Sequence, residues 1–311
     1  MTPATALGDQ AGKKKSAGHS EGARQERRLG LLLCAPAAVV MLAVTAYPIA
    51  YAVYLSLQRY DLRFPQQAHW VGLSNYGAVL SSPFWWQALW VTVLITAVSV
   101  VIELVLGMAL ALVMHRTVFG RGTVRTAVLI PYGIVTVVAA YSWQYAWTPG
   151  VGYLAALLPE GSAPLTDQWQ AIGLIILAEV WKTTPFMALL LLAGLALVPE
   201  ETVRAAMVDG ATFWQRLRLV ILPLMKPAIL VALLFRTLDA FRVFDNIYVL
   251  TGGSNDTGSV SILGYDNLFT ALNLGIGSAI SVLIFLCVVV IAVVFIKVFG
   301  AAAPGGEPER R

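Results

Sequence analysis

Charge is scarce in this chain: Asp, Glu, Lys and Arg make up only 12% of its 311 residues. An ordinary soluble domain carries about 25%, so the composition excludes a soluble globular enzyme. Cysteine is nearly absent, and Cys34 and Cys287 both fall in long apolar runs, so no disulfide or metal framework is indicated. His19, His69 and His115 are in polar or flanking segments, which leaves no histidine inside an apolar run for metal or proton work. No Gly-x-Ser-x-Gly or His-Glu-x-x-His occurs. The stretch Gly8–Lys14 is not a phosphate loop: it has one residue too few between its glycines and no Ser or Thr after lysine. No catalytic residue, metal ligand or ATP-hydrolysing site is therefore expected. Disorder is excluded too, because 58% of the residues are hydrophobic.

What the chain has in abundance is apolar runs. A membrane helix needs about 20 mostly apolar residues, and six stretches qualify: about Leu29–Leu57, Trp86–Val113, Val124–Trp147, Ile172–Val198, Val220–Leu250 and Ile276–Phe299. The fifth is interrupted by charges. An all-α, polytopic membrane protein with six transmembrane helices is predicted, flanked by a disordered tail over residues 1–28 and a C-terminal tail over 300–311. The first run exceeds a signal-peptide core and reads as a retained helix. Basic residues give the orientation. Sixteen Lys and Arg lie in the N-terminal tail, the flank after the second run, the segment between the fourth and fifth runs, and the C-terminal end. The alternate loops hold only Arg59 and Arg63. This bias puts both termini in the cytoplasm. The net charge of +4 is accounted for by that distribution and is not a nucleic-acid signal.

The segment 199–223 carries the most specific signal. Pro199 suits a first helical position, and Glu200 and Glu201 complement the helix dipole. Asp209-Gly210 is a helix stop with glycine free to turn left-handed. Thr212 and Gln215 form a capping box for a second helix. Val203, Ala206 and Met207 share one helical face, and Ala205 keeps a neighbouring face small. Two readings are open on composition alone: a helix docked in a groove of another protein, or an amphipathic helix resting on lipid headgroups.

This stretch resembles the cytoplasmic EAA loop of permease subunits in binding-protein-dependent ABC importers. Ala205-Ala206, Asp209-Gly210-Ala211 and Val220-Ile221-Leu222-Pro223 fall at matching spacing, with Arg204 at the family's glutamate position. Phe241-Arg242-Val243-Phe244-Asp245-Asn246-Ile247-Tyr248-Val249-Leu250-Thr251-Gly252-Gly253 is similar to the end of the fifth span in carbohydrate permeases of the maltose and glycerol-3-phosphate type. The similarity covers roughly residues 30–299 and is closest to the first permease subunit of actinobacterial trehalose importers. It implies a type I ABC importer permease fold, with a transport core over about 86–299 and a coupling segment over 199–223. It also implies a second permease subunit as heterodimer partner, two ATPase subunits carrying ATP and Mg, and an extracytoplasmic sugar-binding protein. No cofactor in this chain and no nucleic acid is implied; the setting is the cell membrane. Arg204, Ala205, Ala206, Asp209, Gly210 and Ala211 would contact the ATPase.

Charges inside spans are costly and face a bundle interior, a cavity or each other. Arg236, Asp239, Arg242 and Asp245 recur every third residue with alternating sign, which predicts either a self-neutralising ion-pair ladder or acceptors facing a sugar. Glu179 and Lys182 read as a self-paired couple, and Glu103 has no local partner. Sugar rings need flat faces and forked polar groups. Tyr141, Trp143, Gln144, Tyr145 and Trp147 offer these, or else form an interfacial aromatic belt. Trp181 and Thr184, beside Pro185, together with Asp239, Asp245, Asn246 and Tyr248, are the candidate path residues. The alternative function is a self-sufficient, ion-coupled secondary transporter or channel using the Arg/Asp stripe, although no inverted repeat is visible in hydropathy.

Overall fold

The computed structural model describes residues 11–116, 120–159 and 161–299. Gly8, in the segment tested above for a phosphate loop, and the tail 300–311 lie outside the described residues. Nearly everything described is helix. A backbone in hydrocarbon must satisfy its own N–H and C=O groups, and a helix does so within one segment.

Helix α1 spans Ala11–Ser56. It therefore takes in residues 11–28, where the sequence predicted a disordered tail. Ala, Lys, Arg and Glu, all good helix formers, outnumber Gly12, Gly18 and Gly22 in that stretch, which continues into the apolar helix that follows. Up to Tyr54 this helix belongs to a unit of its own, and its side chains from Leu32 to Tyr47 are exposed.

The second unit begins at Leu55. A two-stranded hairpin, β1 (Gln58–Arg59) and β2 (His69–Trp70), pairs Gln58 with Trp70 and Arg59 with His69. Helix α2 (Ser74–Ser81) pins it, because the Asn75 amide donates to the carbonyls of Ser56 and Gln58, both at 2.8 Å. At the hairpin tip the Arg63 guanidinium donates to Asp61 at 2.6 Å, and that hydrogen bonding holds the Asp61 carboxyl down at about 2.

Two long helices form the centre: α3 (Pro83–Arg116) and α6 (Gln168–Leu195). The carboxylate of Asp167 caps α6 by accepting from the Gln170 N–H at 3.0 Å. Between them lie α4 (Arg121–Gly133) and α5 (Thr136–Trp147), which meet at an 83° bend. The sequence predicted one span there. Pro131 removes a backbone donor and Gly133 weakens the helix, and the chain breaks directly afterwards. Beyond α6 come α7 (Glu200–Val208), α8 (Phe213–Arg216), a π-helical turn (Leu217–Ile221) and α9 (Leu222–Ala240). The apolar helix thus runs unbroken from Phe213 to Ala240. It starts before Val220 and stops ten residues short of Leu250, where the sequence had ended it. Short helices α10 (Asp245–Leu250) and α11 (Val260–Tyr265) and a second π-helical turn (Asp266–Thr270) lead to α12 (Leu274–Phe299). Among the described residues, five helices are long and apolar enough to cross a membrane, and the bent pair brings the count to six.

Connections gather alternately at the two ends of the bundle. At one end the Leu62 N–H donates to Leu272 O at 2.9 Å, and Gln168 Nε2 donates to Asp256 O at 3.2 Å. At the other the Arg116 guanidinium lies 4.5 Å from the Phe213 ring centroid.

The core between α3, α6 and α9 is built from Val100, Ala111, Met187, Leu191, Met225 and Ala232. Close approach of α3 to α6 depends on Gly107: a Cβ there would sit 2.8 Å from Met187 Cγ and 3.2 Å from the backbone nitrogen of Ala188. Since that backbone is held within α6, Gly107→Ala must push the helices apart. We expect a loss of about 1–3 kcal/mol, read as a lower melting temperature of the detergent-purified protein by size-exclusion thermal shift.

Candidate functional site: a buried arginine and the cavity beside it

Arg236 is fully buried on α9. Its Nε donates to Glu103 at 2.6 Å, and its Nη2 to Glu103 at 2.9 Å and to Glu179 at 2.6 Å. Its Nη1 donates to Asp239 at 2.9 Å. Thr183 Oγ1 lies 2.7 Å from Glu103 Oε1, and the Asn246 amide donates to Glu179. One guanidinium thus ties α3, α6 and α9 together, and Glu179 passes the tie on to α10.

Glu103 has no local partner, as its surroundings in sequence imply; the arginine that pairs with it is 133 residues away. Two expectations are corrected here. Glu179 and Lys182 do not pair, because Glu179 turns to Arg236 and Asn246 while Lys182 points elsewhere. Lys182 Nζ donates to the carbonyl of Ile134 at 2.7 Å, capping the open C-terminal end of α4, and lies 5.8 Å from the Tyr132 ring centroid. The four-charge ladder ends after its first pair. Helix α9 stops at Ala240, and the non-helical residues 241–244 re-aim Arg242 and Asp245.

Next to this cluster opens a cavity of about 560 Å³. Its walls are the two broken spans and the middle of α6: Tyr132, Ile134, Val135 and Thr136 from the α4–α5 bend, Glu179, Lys182 and Thr183 from α6, and Asp239 through Asn246, without Ala240 and Phe241, from the α9–α10 break. Irregular backbone at membrane depth is tolerated only where protein or a water-filled cavity covers it, and both breaks face this one. The cavity offers donors (Lys182, Arg242, Asn246) and acceptors (Asp239, Asp245) within reach of one small polar molecule.

Of the six candidate path residues, Asp239, Asp245 and Asn246 line this cavity. Trp181 lines a smaller one of about 260 Å³, where its ring meets Trp143 edge-on at 5.9 Å. Thr184 is buried and lines neither; its hydroxyl has no hydrogen-bond partner among the described residues. Tyr248 sits in an aromatic group with Phe244 and Tyr265. Tyr141 and Tyr145 are exposed, as an interfacial belt requires, whereas Gln144 donates to Val249 O at 2.6 Å and binds α5 to α10. Lys182, Arg242 and Thr136 also line this cavity and were not among the candidates drawn from the sequence. Pro131-x-Gly133 was the available signal for Thr136.

The segment 199–212 is built by local rules. Gly210 takes φ +81°, Gly210 N–H donates to Met207 O at 3.1 Å, and Ala211 N–H donates to Ala206 O at 3.0 Å. These are the two bonds of a Schellman ending. Thr212 N–H donates to Gln215 Oε1 at 2.7 Å, and the Gln215 N–H returns to Thr212 Oγ1 at 3.4 Å, closing the capping box. Val203 and Ala206 are half-buried, whereas Arg204, Ala205 and Val208 are exposed. Arg204 pairs with Glu200 at 2.7 Å one turn earlier on the surface, so its charge is locally balanced.

The sequence model of the family described as binding-protein-dependent transport system inner membrane component matches residues 77–302. The chain belongs to that family. This permease is 72% identical over 286 residues to the trehalose transport system permease protein SugA of Mycobacterium tuberculosis, covering 92% of this chain and 93% of the relative. It is 41% identical over 280 residues to the trehalose/maltose transport system permease protein MalF of Thermococcus litoralis, covering 88% and 94%. Its fold matches a crystal structure of a bacterial ABC transporter involved in import of the acidic polysaccharide alginate, with a TM-score of 0.76 at 21% identity, over 90% of this chain and 98% of the other.

Removing one partner of a buried ion pair leaves an uncompensated charge and costs about 3–5 kcal/mol. Arg236→Met in this permease, which strands Glu103 and Glu179, is expected to lose that much. Asp239→Asn touches a carboxylate that is 61% exposed to the cavity and is expected to cost under about 1 kcal/mol. Parallel thermal unfolding of the two variants in detergent checks the contrast, and equal losses would contradict it.

Proposed function

We propose that this permease is one of two transmembrane subunits of an ATP-driven importer for a neutral disaccharide of the trehalose kind. The observation that carries the reading is its identity, over nearly its whole length, with a trehalose transport permease. The cavity supports it chemically. Its paired donors and acceptors suit hydroxyl groups, and its size suits a small sugar. In this reading Asp239, Asp245 and Asn246 accept and donate hydrogen bonds to sugar hydroxyls. Trp181, Thr184 and Tyr248 stand further along the same half of the path.

The sugar arrives on an extracytoplasmic binding protein. Two ATPase subunits, which hold the ATP and Mg, grip the segment 199–223, with Arg204, Ala205, Ala206, Asp209, Gly210 and Ala211 at the contact; both chain termini lie on the same cytoplasmic side. The exposed apolar groups Leu197, Val208 and Trp214 around that turn are the surface such a contact would cover. ATP favours the closed ATPase dimer, and that differential affinity switches the path between inward- and outward-facing states. A self-sufficient secondary transporter is the less favoured reading, since the family's members work with binding proteins.

Gly210 has nothing within 4 Å of the place a Cβ would occupy, so only its left-handed backbone resists a larger residue. Gly210→Leu therefore strains the turn by about 1–2 kcal/mol and is expected to leave membrane insertion intact. The variant importer, reconstituted with its partners, should lose most of the ATP hydrolysis that loaded binding protein stimulates; full stimulation would count against the coupling role. The isolated chain in liposomes under an ion gradient, without nucleotide, should carry no trehalose.

A further inference from the structure

Arg242 and Phe244 of the polar cavity also line a neighbouring cavity of about 390 Å³, whose other walls include Tyr265, Phe269, Ser261 and Ser281. Along this second cavity the aromatic rings form a connected run. Phe244 meets Tyr265 at 5.2 Å between centroids, and Tyr265 meets Phe269 at 4.9 Å with the planes tilted by 33°. Tyr248 stacks on Phe244 at 5.2 Å. The run starts in the wall of the polar cavity and ends at Phe269, which is 66% exposed.

Local structure holds Phe269 in this position. The turn Asp266–Thr270 is π-helical, closed by the Ala271 N–H donating to Asp266 O at 2.7 Å. The Phe269 ring on this turn lies beside Tyr265, the residue just before the turn. π-Helical turns are uncommon and concentrate at functional sites. The chain leaves this one through Leu272, a non-glycine residue at φ +57° whose carbonyl accepts the Leu62 N–H. A conformation of that kind persists only where its surroundings over-determine it.

We infer that Phe244, Tyr265 and Phe269, with Arg242 and the hydroxyls of Ser261 and Ser281, form a second sugar subsite. It takes one ring of a disaccharide while the polar cavity holds the other. A pyranose has a C–H face that stacks on an aromatic ring and an equatorial rim of hydroxyls. This cavity presents both complements: a π surface with its negative face outward, and a guanidinium and two hydroxyls at its edge. Arg242, shared by both cavities, spans the glycosidic junction. The assignment rests on the reading of the polar cavity as the sugar path.

The test compares an aromatic with a non-aromatic apolar side chain. Phe269→Trp and Phe269→Leu are reconstituted as complete importers with loaded binding protein, and radiolabelled trehalose taken up per ATP hydrolysed is measured beside Asp245→Ala. Phe269→Trp should match the parent within about twofold. Phe269→Leu should lower the ratio about three- to tenfold, the loss of one stacking contact, with stimulated ATP hydrolysis unchanged. If Phe269→Leu transports like Phe269→Trp while Asp245→Ala is impaired, the second subsite is wrong and the polar cavity stands. If Asp245→Ala transports normally, the cavity reading falls and takes this proposal with it. If Phe269→Leu lowers assembly yield or ATP hydrolysis in step with uptake, the ring packs against another subunit and the proposal is overturned.

Discussion

The membrane unit is organised around the charge on Arg236. A guanidinium in hydrocarbon is costly unless its nitrogens find acceptors, and here each of the three does, among Glu103, Glu179, Asp239 and Thr183. Those acceptors sit on different helices, so satisfying one residue fixes the mutual rotation of α3, α6 and α9. Apolar packing alone would not do this. Leu and Val surfaces slide past one another at little cost, and lipid is as apolar as they are. The close contact at Gly107 and the ion cluster are therefore complementary: the glycine sets how near α3 comes to α6, and the arginine sets the register.

The breaks in the spans follow from the same arrangement. Non-helical residues 241–244 would be costly in lipid, yet they lie beside the cluster and over the cavity. Likewise the carbonyls freed at the end of α4 find Lys182. A lysine drawn to open carbonyls loses no pairing, because Glu179, one turn before it, already serves Arg236 and Asn246. The end of α4 is thus repaired by a side chain from α6, and at the α9 break the Val243 carbonyl accepts from Ser259 Oγ at 2.9 Å. The most deeply buried span, α6, contributes Glu179, Lys182 and Thr183 to the cavity wall.

How much of this was legible in the sequence depended on the range of the forces involved. The turn at Asp209-Gly210 and the cap at Thr212 and Gln215 were readable because their hydrogen bonds close within five residues. The spans were readable because hydrophobicity is additive along the chain. Glu103 was not, since nothing nearby hints at a partner 133 positions on. The end of α9 was also invisible: Ala240-Phe241-Arg242-Val243 contains neither proline nor glycine, and tertiary contacts stop the helix. Pro185, by contrast, lies inside α6, which continues past it to Leu195. Three of the six candidate path residues, Asp239, Asp245 and Asn246, line the cavity because they lie beside the α9–α10 break, whereas Thr184 lies on α6 and does not.

The charge balance of the cavity bears on what can pass. Four acidic groups (Glu103, Glu179, Asp239, Asp245) face three basic ones (Lys182, Arg236, Arg242) in the cluster and its cavity. Nearly balanced walls give a charged cargo no net attraction to offset its desolvation. A neutral polyol meets a different surface. Each hydroxyl can both donate to a carboxylate and accept from Lys182 or Arg242, so water is replaced bond for bond. Sites of this kind discriminate by leaving their own polar groups unpaired when a hydroxyl is missing, which separates analogues more sharply than apolar fit does. On the proposed reading, selectivity for a sugar then follows from the near-neutral pairing that the buried arginine also requires, and the path and the scaffold share one set of charges.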